Sequence, residues 1–167
     1  GGNLVLNYAA RIQNNVKGVI ATSPWLALAQ KSSIFKKIIL NIMNYIYPQF
    51  NISNDIDPED LCRDQKVVEK YKKDNLIHDQ ISPRLVVEMS AAAKWIQKNI
   101  DKITLPVLLM HGTADKITSF AASKKTAQKS SSISFQAWEK FKHEIHKEPE
   151  QKEVFDKIIS WMEEKAI

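Results

Sequence analysis

Apolar residues recur along the chain in two alternating patterns, which predict helices separated by short buried strands. In residues 3–13 they lie three and four positions apart, which is typical of a helix with one buried face. The predicted buried residues of this helix are Leu4, Val5, Tyr8, Ala9 and Ile12. Asn14 and Asn15 are predicted to end it. Residues 18–22 then form a short apolar run of the kind found in buried parallel strands, and residues 23–25 end that strand.

The same alternation returns in the last third of the chain. Residues 105–110 are an apolar run that predicts a second buried strand, and residues 119–129 predict the helix after it. Residues 133–138 alternate as a strand does, with Ile133, Phe135 and Ala137 on one face. Residues 150–165 predict a final amphipathic helix. Its predicted buried residues are Val154, Phe155, Ile158, Ile159, Trp161 and Met162. Strands alternating with helices indicate an α/β fold with a parallel sheet.

Between these parts lies a stretch with a different pattern. Residues 34–47, 67–73 and 83–100 predict helices, residues 48–58 predict a polar loop, and we find no convincing strand. We therefore predict a helical insertion into an α/β core. The predicted division is 1–25 for the start of the core, 26–102 for the helical lid, and 103–167 for the rest of the core.

Charge and cysteine content exclude several classes of protein. The net charge of +5 is spread along the chain, which favours acidic partners or anionic lipid surfaces. It does not form the basic stripe of a nucleic-acid-binding module, so we expect no nucleic-acid partner. The single cysteine, Cys62, allows no internal disulfide and supplies no metal framework. No apolar run approaches the roughly 20 residues of a membrane span.

Two predicted loops carry residues suited to nucleophilic catalysis. Asp115 follows the strand at 105–110, and His143 follows the strand at 133–138. Ligands and catalytic groups collect at the carboxyl ends of strands in open α/β sheets. An Asp that orients a His is two thirds of a nucleophilic triad, and the order Asp then His is the order that α/β-hydrolases use after their serine.

Four segments give this pattern a specific resemblance. His111-Gly112-Thr113-Ala114-Asp115 is similar to the acid loop of monoacylglycerol lipases and lysophospholipases, and residues 142–149 are similar to their histidine loop. Gly1-Gly2-Asn3 resembles the end of their Gly-His-Ser-Met-Gly-Gly elbow, and residues 22–26 resemble the turn from which their lid departs. The resemblance implies that the chain is the C-terminal portion of an α/β-hydrolase, and that the serine and the N-terminal half of the fold precede Gly1. Lys142 departs from the usual tyrosine.

Carried over residue by residue, the resemblance implies a serine hydrolase acting on carboxylic esters with one acyl chain. Asp115 matches the acid and His143 the base, while Gly1 and Gly2 lie beside the elbow and its oxyanion site. Trp25, Leu26, Ile38 and Ile42 are expected to contact the lipid ester. The mechanism implies no metal and no cofactor. We expect a cytoplasmic protein, with membrane contact through the lid as an open alternative, and a chain that is inactive without its serine.

Other interpretations of the same residues remain open. Asp115 also suits a helix cap, and His143 and His146 also suit a solvated loop. A zinc site is disfavoured, because the H-E-x-x-H motif would need a histidine where Lys147 stands. Ser23 is better explained by a turn than as a nucleophile, Cys62 is expected to be inert, and His78 and His111 have no evident partner. The alternative functions are a lipid-binding or partner-binding remnant, and a peptidase or small-ester esterase of the same fold.

Overall fold

The computed structural model describes residues 1–12, 16–30 and 33–165. The helices are α1 (Gly2–Arg11), α2 (Ile34–Ile46), α3 (Gln65–Lys73), α4 (Pro83–Asn99), α5 (Phe120–Ala127) and α6 (Gln151–Glu164). The strands are β1 (Val19–Thr22), β2 (Ile52–Ser53), β3 (Gln80–Ile81), β4 (Val107–Gly112) and β5 (Ile133–Trp138). Short 3₁₀ turns lie at Pro58–Asp60, Ile100–Lys102 and Ile145–Lys147. Asn14 and Asn15, the predicted end of the first helix, lie outside the described residues.

A parallel sheet in the order β1–β4–β5 confirms the predicted α/β fold class. All six residues of β4 are buried, as expected for a strand with neighbours on both edges and helices on both faces. Because successive side chains of a strand point to opposite faces, Val107 and Leu109 pack with α1, while Leu108 and Met110 pack with α6. The sheet therefore lies between two hydrophobic cores.

The buried face of α1 was predicted wrongly. Leu4 is 73% exposed and Ile12 is 49% exposed, and Val5 and Tyr8 are also exposed. Of the predicted residues only Ala9 is buried. The helix instead buries Asn3, Leu6, Asn7, Ala9 and Ala10.

Hydrogen bonds explain why α1 buries two asparagines. Asn3 Nδ2 donates to the carbonyls of Trp25 (2.8 Å) and Met89 (3.1 Å), and Asn7 Nδ2 donates to Asn3 Oδ1 (2.7 Å). A buried amide group that is paired in this way does not carry the cost of an unsatisfied polar group. Hydrophobic periodicity cannot detect such pairing, because it counts asparagine as a surface residue.

The last helix follows its prediction only in part. Val154 and Trp161 are buried and Ile158 and Met162 are half-buried, but Phe155 is 46% exposed and Ile159 is 55% exposed. On β5, Ile133 and Phe135 pack against the core while Ala137 is exposed. Apolar faces are thus left uncovered on α1 and α6, which lie on opposite sides of the sheet.

The stretch between β1 and β4 is helical, with one correction. β2 and β3 form a two-residue antiparallel ladder, so the prediction that this stretch lacks a strand was wrong. Two residues are too few to leave a readable alternation. None of the residues of α2 is buried, whereas Ile96 of α4 and Ile100 after it are buried in the core with α1. Across the three described ranges, none of the helices combines the length and apolar character needed to cross a membrane.

Candidate active site

Two loops at one edge of the sheet bring Asp115 and His143 together. The strands β4 and β5 end level with each other, because Gly112 is paired with Trp138 in the parallel register. The loop after β4 carries Asp115, and the loop after β5 carries His143. The Nδ1 atom of His143 lies 2.8 Å from Oδ2 of Asp115, within hydrogen-bonding distance. The Asp115 side chain is fully buried, and the His143 side chain is 25% exposed.

A second histidine, which the sequence analysis left without a partner, binds the same carboxylate. His111 is fully buried at the end of β4, and its Nε2 lies 3.0 Å from Oδ2 of Asp115. Its other ring nitrogen, Nδ1, lies 2.9 Å from Oγ of Ser123 on α5. The sequence analysis ended the buried strand at residue 110 and placed His111 in the loop, whereas β4 extends to Gly112 and buries this imidazole, which therefore requires polar partners.

Thr118 and the turn around it complete the environment of Asp115. Oδ1 accepts the backbone N–H groups of Ile117 (2.8 Å) and Thr118 (2.9 Å), and Oδ2 accepts the Thr118 hydroxyl (2.8 Å). The backbone bonds show that Asp115 does cap a turn, as the alternative interpretation held. The same carboxylate also binds two histidines, so capping and orienting a base are not exclusive.

The charge state of Asp115 results from two opposing effects. Burial raises the pKa of this carboxyl group, but the hydrogen bonds from His111 and His143 outweigh it, and the pKa lies well below its ordinary value. Asp115 is therefore ionised across the physiological range. An anion here accepts the Nδ1 proton of His143, which fixes the neutral tautomer with its free lone pair on Nε2.

The acid and histidine loops touch at Gly112. A Cβ atom at this position would lie closer to the Phe141 and Lys142 carbonyl oxygens than real Cβ atoms ever approach. The backbone just before His143 therefore packs directly on the end of β4. Only glycine allows this approach, and the approach brings His143 within reach of Asp115.

A cavity of about 660 Å³ opens beside the Asp–His pair. His143, Gly1, Gly2 and Trp25 line it, so four of the predicted site residues share one space. Leu26, Ile38 and Ile42 do not line it among the described residues. Leu26 is 2% exposed within the core, and α2 contributes Lys36 and Leu40 to the cavity rather than Ile38 and Ile42. The cavity thus receives a different face of α2 from the one predicted.

Comparison with known proteins shows the family and the fold of the chain. The sequence profile of the family described as "Serine aminopeptidase, S33" matches residues 1–150. The chain belongs to this family. It is an α/β-hydrolase similar to monoacylglycerol lipases.

The chain is similar over almost its whole length to several lipases. The crystal structure of Paleococcus ferrophilus monoacylglycerol lipase has a TM-score of 0.92 and 32% identity, over 99% of this chain and 65% of that one. Monoacylglycerol lipase of Mycolicibacterium smegmatis is 24% identical, over 97% of this chain and 59% of its own length. Human monoglyceride lipase is 26% identical, over 99% and 56%. The chain therefore spans between about half and two thirds of these family members.

Three further candidate residues from the sequence, His146, Cys62 and Ser23, show no contact that gives them a catalytic role among the described residues. His146 lines the cavity, and burial lowers the pKa of its imidazole. Cys62 is fully buried, and burial raises the pKa of its thiol, which favours the unreactive form. Ser23 has a positive φ of 41°, and its buried Oγ has no hydrogen-bond partner among the described residues. It makes no hydrogen bond with a histidine there, as a nucleophile would.

Proposed function

We propose that this chain supplies the acid and the base of a serine hydrolase that cleaves carboxylic esters with one acyl chain. The observation that carries the proposal is the 2.8 Å contact between His143 Nδ1 and Asp115 Oδ2, beside a cavity that Gly1 and Gly2 also line. Gly2 packs tightly, since a Cβ there would lie 2.9 Å from Pro24 Cα. A nucleophile elbow is a sharp turn from a strand into a helix, and a glycine packed this closely at a helix start suits such a turn.

The arrangement suits acyl transfer through a serine expected just before Gly1. In the first half-reaction the serine oxygen attacks the ester carbonyl carbon while His143 Nε2 takes the hydroxyl proton. The resulting imidazolium donates from Nδ1 to Asp115, which stabilises the positive charge. His143 then passes its proton to the departing alcohol as the carbon–oxygen bond breaks. In the second half-reaction water attacks the acyl carbon while His143 Nε2 takes a proton from the water, and His143 then returns this proton to the serine oxygen as the acyl–serine bond breaks and the carboxylic acid leaves.

The cavity supports an acyl chain as the group that is bound. Its lining combines polar and charged residues with apolar ones, and the apolar ones are Trp25, Leu28, Leu40, Ile52, Ile56, Ile81, Val86, Met89 and Ile117. These apolar residues favour a hydrocarbon chain through burial of apolar surface. Monoacylglycerols and lysophospholipids have one such chain beside a polar alcohol. A panel of monoacylglycerols, short-chain esters and aminoacyl substrates would separate a lipase from an esterase or a peptidase of the same fold.

A lipid surface is the partner that we propose for α2. Phe35, Ile39 and Tyr45 on this helix are 74%, 60% and 91% exposed, and Leu40 of the same helix reaches the cavity. A helix that has apolar side chains outside and also borders an acyl cavity suits contact with the membrane that holds the substrate. We therefore retain the lid assignment for this part of the chain as a proposal.

The chain as printed is expected to lack esterase activity. None of its serines stands in a G-x-S-x-G context, and loss of a triad serine typically costs about a millionfold in turnover. We predict no hydrolysis of p-nitrophenyl butyrate above the buffer rate, as measured by release of nitrophenolate. Robust turnover that the His143→Ala variant abolishes would contradict this prediction, because it would require a nucleophile within residues 1–167.

A second candidate function is binding without catalysis. The exposed apolar residues of α1, those of α6 on the other side of the sheet, and the edge of β1 that pairs with none of the described residues are each suited to contact with another part of a hydrolase. The chain would then bind an N-terminal half, or survive as a remnant that binds lipid. Binding of such a half without any recovery of turnover would favour this function over the first.

A further inference from the structure

The two residues on either side of His143 are both hydrogen-bonded to the inserted stretch. Before it, Lys142 Nζ donates to the carbonyl oxygens of Glu59 and of Cys62, the latter at 3.3 Å. After it, the backbone N–H of Glu144 donates to the carbonyl oxygen of Leu61 at 2.7 Å. The histidine loop is therefore bonded on both sides of the base to residues 59–63, a segment that precedes it by about half the chain.

A buried carboxylate strengthens this connection. Glu148 is fully buried, and its Oε1 accepts the backbone N–H of Lys142 at 2.7 Å. Its Oε2 accepts both the backbone N–H (3.0 Å) and the side-chain Nε–H (2.8 Å) of Arg63. One side chain thus joins the residue before the base to the inserted stretch. A buried carboxylate is tolerated only where its oxygens are paired in this way.

The other contacts of the segment reach both catalytic loops. The guanidinium group of Arg63 lies 4.9 Å from the ring of Phe141 and also forms an ion pair with the exposed Glu150. Asp60 forms an ion pair with Lys116, which directly follows Asp115, at 3.2 Å. Residues 59–63 therefore contact the acid loop as well as the histidine loop.

This segment differs from α2, although the sequence analysis placed both in one lid. Leu61 is 6% exposed and Cys62 is fully buried, whereas α2 has no buried residue among those described. The inserted stretch thus has a part that is bonded to the catalytic loops and a part, α2, that borders the cavity without being buried.

We propose that residues 59–63 position the catalytic base, and that Arg63 and Glu148, with Lys142, form a latch that holds His143 against Asp115. This inference rests on the proposed role of the Asp–His pair. None of the three latch residues lines the cavity, so they act through His143 rather than on the substrate. A base displaced by about 1 Å costs roughly a hundredfold in rate, which gives such a latch a function.

The test is the nuclear magnetic resonance signal of the His143 Nδ1 proton in the 167-residue chain. A hydrogen-bonded imidazole N–H that is protected from solvent gives a resolved downfield resonance, and the His143→Gln variant identifies it by its loss. We expect the Glu148→Gln variant to broaden this resonance or remove it, because the neutral amide cannot hold Lys142 and Arg63 together. Glu150→Gln is the matched control, since it makes the same change at the exposed partner of Arg63 and should leave the resonance intact.

A second variant is needed if Glu148→Gln fails to fold, which the absence of cooperative unfolding would show. Lys142→Met keeps the aliphatic stem and removes only the two bonds from Nζ, so it should weaken the resonance while the fold persists. The latch is refuted if the wild-type chain lacks a protected His143 resonance, or if folded variants at residues 142 and 148 retain it unchanged. Because the signal requires no turnover, the latch is tested separately from ester hydrolysis.

Discussion

At the scale of single residues, the hydrogen bonds that Asp115 accepts determine what this carboxylate can do. Its two oxygens accept from the backbone at 117 and 118, from the Thr118 hydroxyl and from two imidazoles. A carboxylate held so firmly is a fixed acceptor for His143. His111 is the unexpected member, because it uses its two ring nitrogens to connect Asp115 with Ser123.

The contribution of His111 can be measured through the pH dependence of stability. A carboxyl group whose pKa is lowered by folding stabilises the protein above its unfolded pKa of about 3.9, and this contribution is lost as the pH falls toward the folded value. His111→Phe removes one lowering hydrogen bond, so the shift becomes smaller. We expect the variant to lose about 1.5–3 kcal/mol of unfolding free energy at neutral pH, the range for a hydrogen bond to a charged group.

Urea unfolding between neutral pH and about pH 2 would check this expectation. Protonation of Asp115 in the unfolded state is the same for both proteins, so the difference in unfolding free energy should stay constant until the pH falls below the folded pKa of Asp115 in the variant. It should shrink there, because the folded variant takes up a proton at a pH at which the folded wild type, with its more strongly lowered pKa, still does not. His78→Phe is the control, since His78 is an exposed histidine distant in sequence from both loops. A difference that stays constant with pH would show that His111 contributes packing alone.

At the scale of elements, periodicity predicted where helices and strands lie more reliably than which faces they bury. The three sheet strands and the helices of the core were located from apolar runs. The predicted buried face of α1 was wrong because the Asn3 and Asn7 side chains donate to backbone carbonyls inside the fold. Asp115 and His143 could be placed from their positions at strand ends, but the partners of His111 depend on contacts with another helix.

The exposed apolar face of α2 leads to a prediction about lipid binding. Phe35→Ser should weaken binding to vesicles of phosphatidylcholine and phosphatidylserine by about tenfold or more, because burial of a large apolar side chain contributes about 1.5–3 kcal/mol. Sedimentation of the chain with vesicles measures this directly. Leu76→Ser is the matched control, as Leu76 is 89% exposed but lies outside α2. Equal losses in both variants would contradict a specific role for α2.

At the scale of the whole molecule, the exposed apolar surfaces lie on both sides of the sheet. Exposed apolar residues of α1 lie on one side of the sheet, those of α6 lie on the other, and β1 has no partner on its outer edge among the described residues. The chain also spans only 56–65% of the three relatives compared above. We propose that a complementary part of a hydrolase covers the faces of α1 and α6 that periodicity wrongly assigned to the core.

The central claim is that this chain carries a working acid and base, and a chimera tests it most directly. In the chimera, residues 1–167 replace the matching region of the Paleococcus ferrophilus monoacylglycerol lipase, whose remaining part is expected to supply the serine. We predict that the folded chimera hydrolyses a monoacylglycerol, and that His143→Ala reduces turnover by about a millionfold. A chimera that unfolds cooperatively but releases no fatty acid, or one whose turnover survives His143→Ala, would contradict the account.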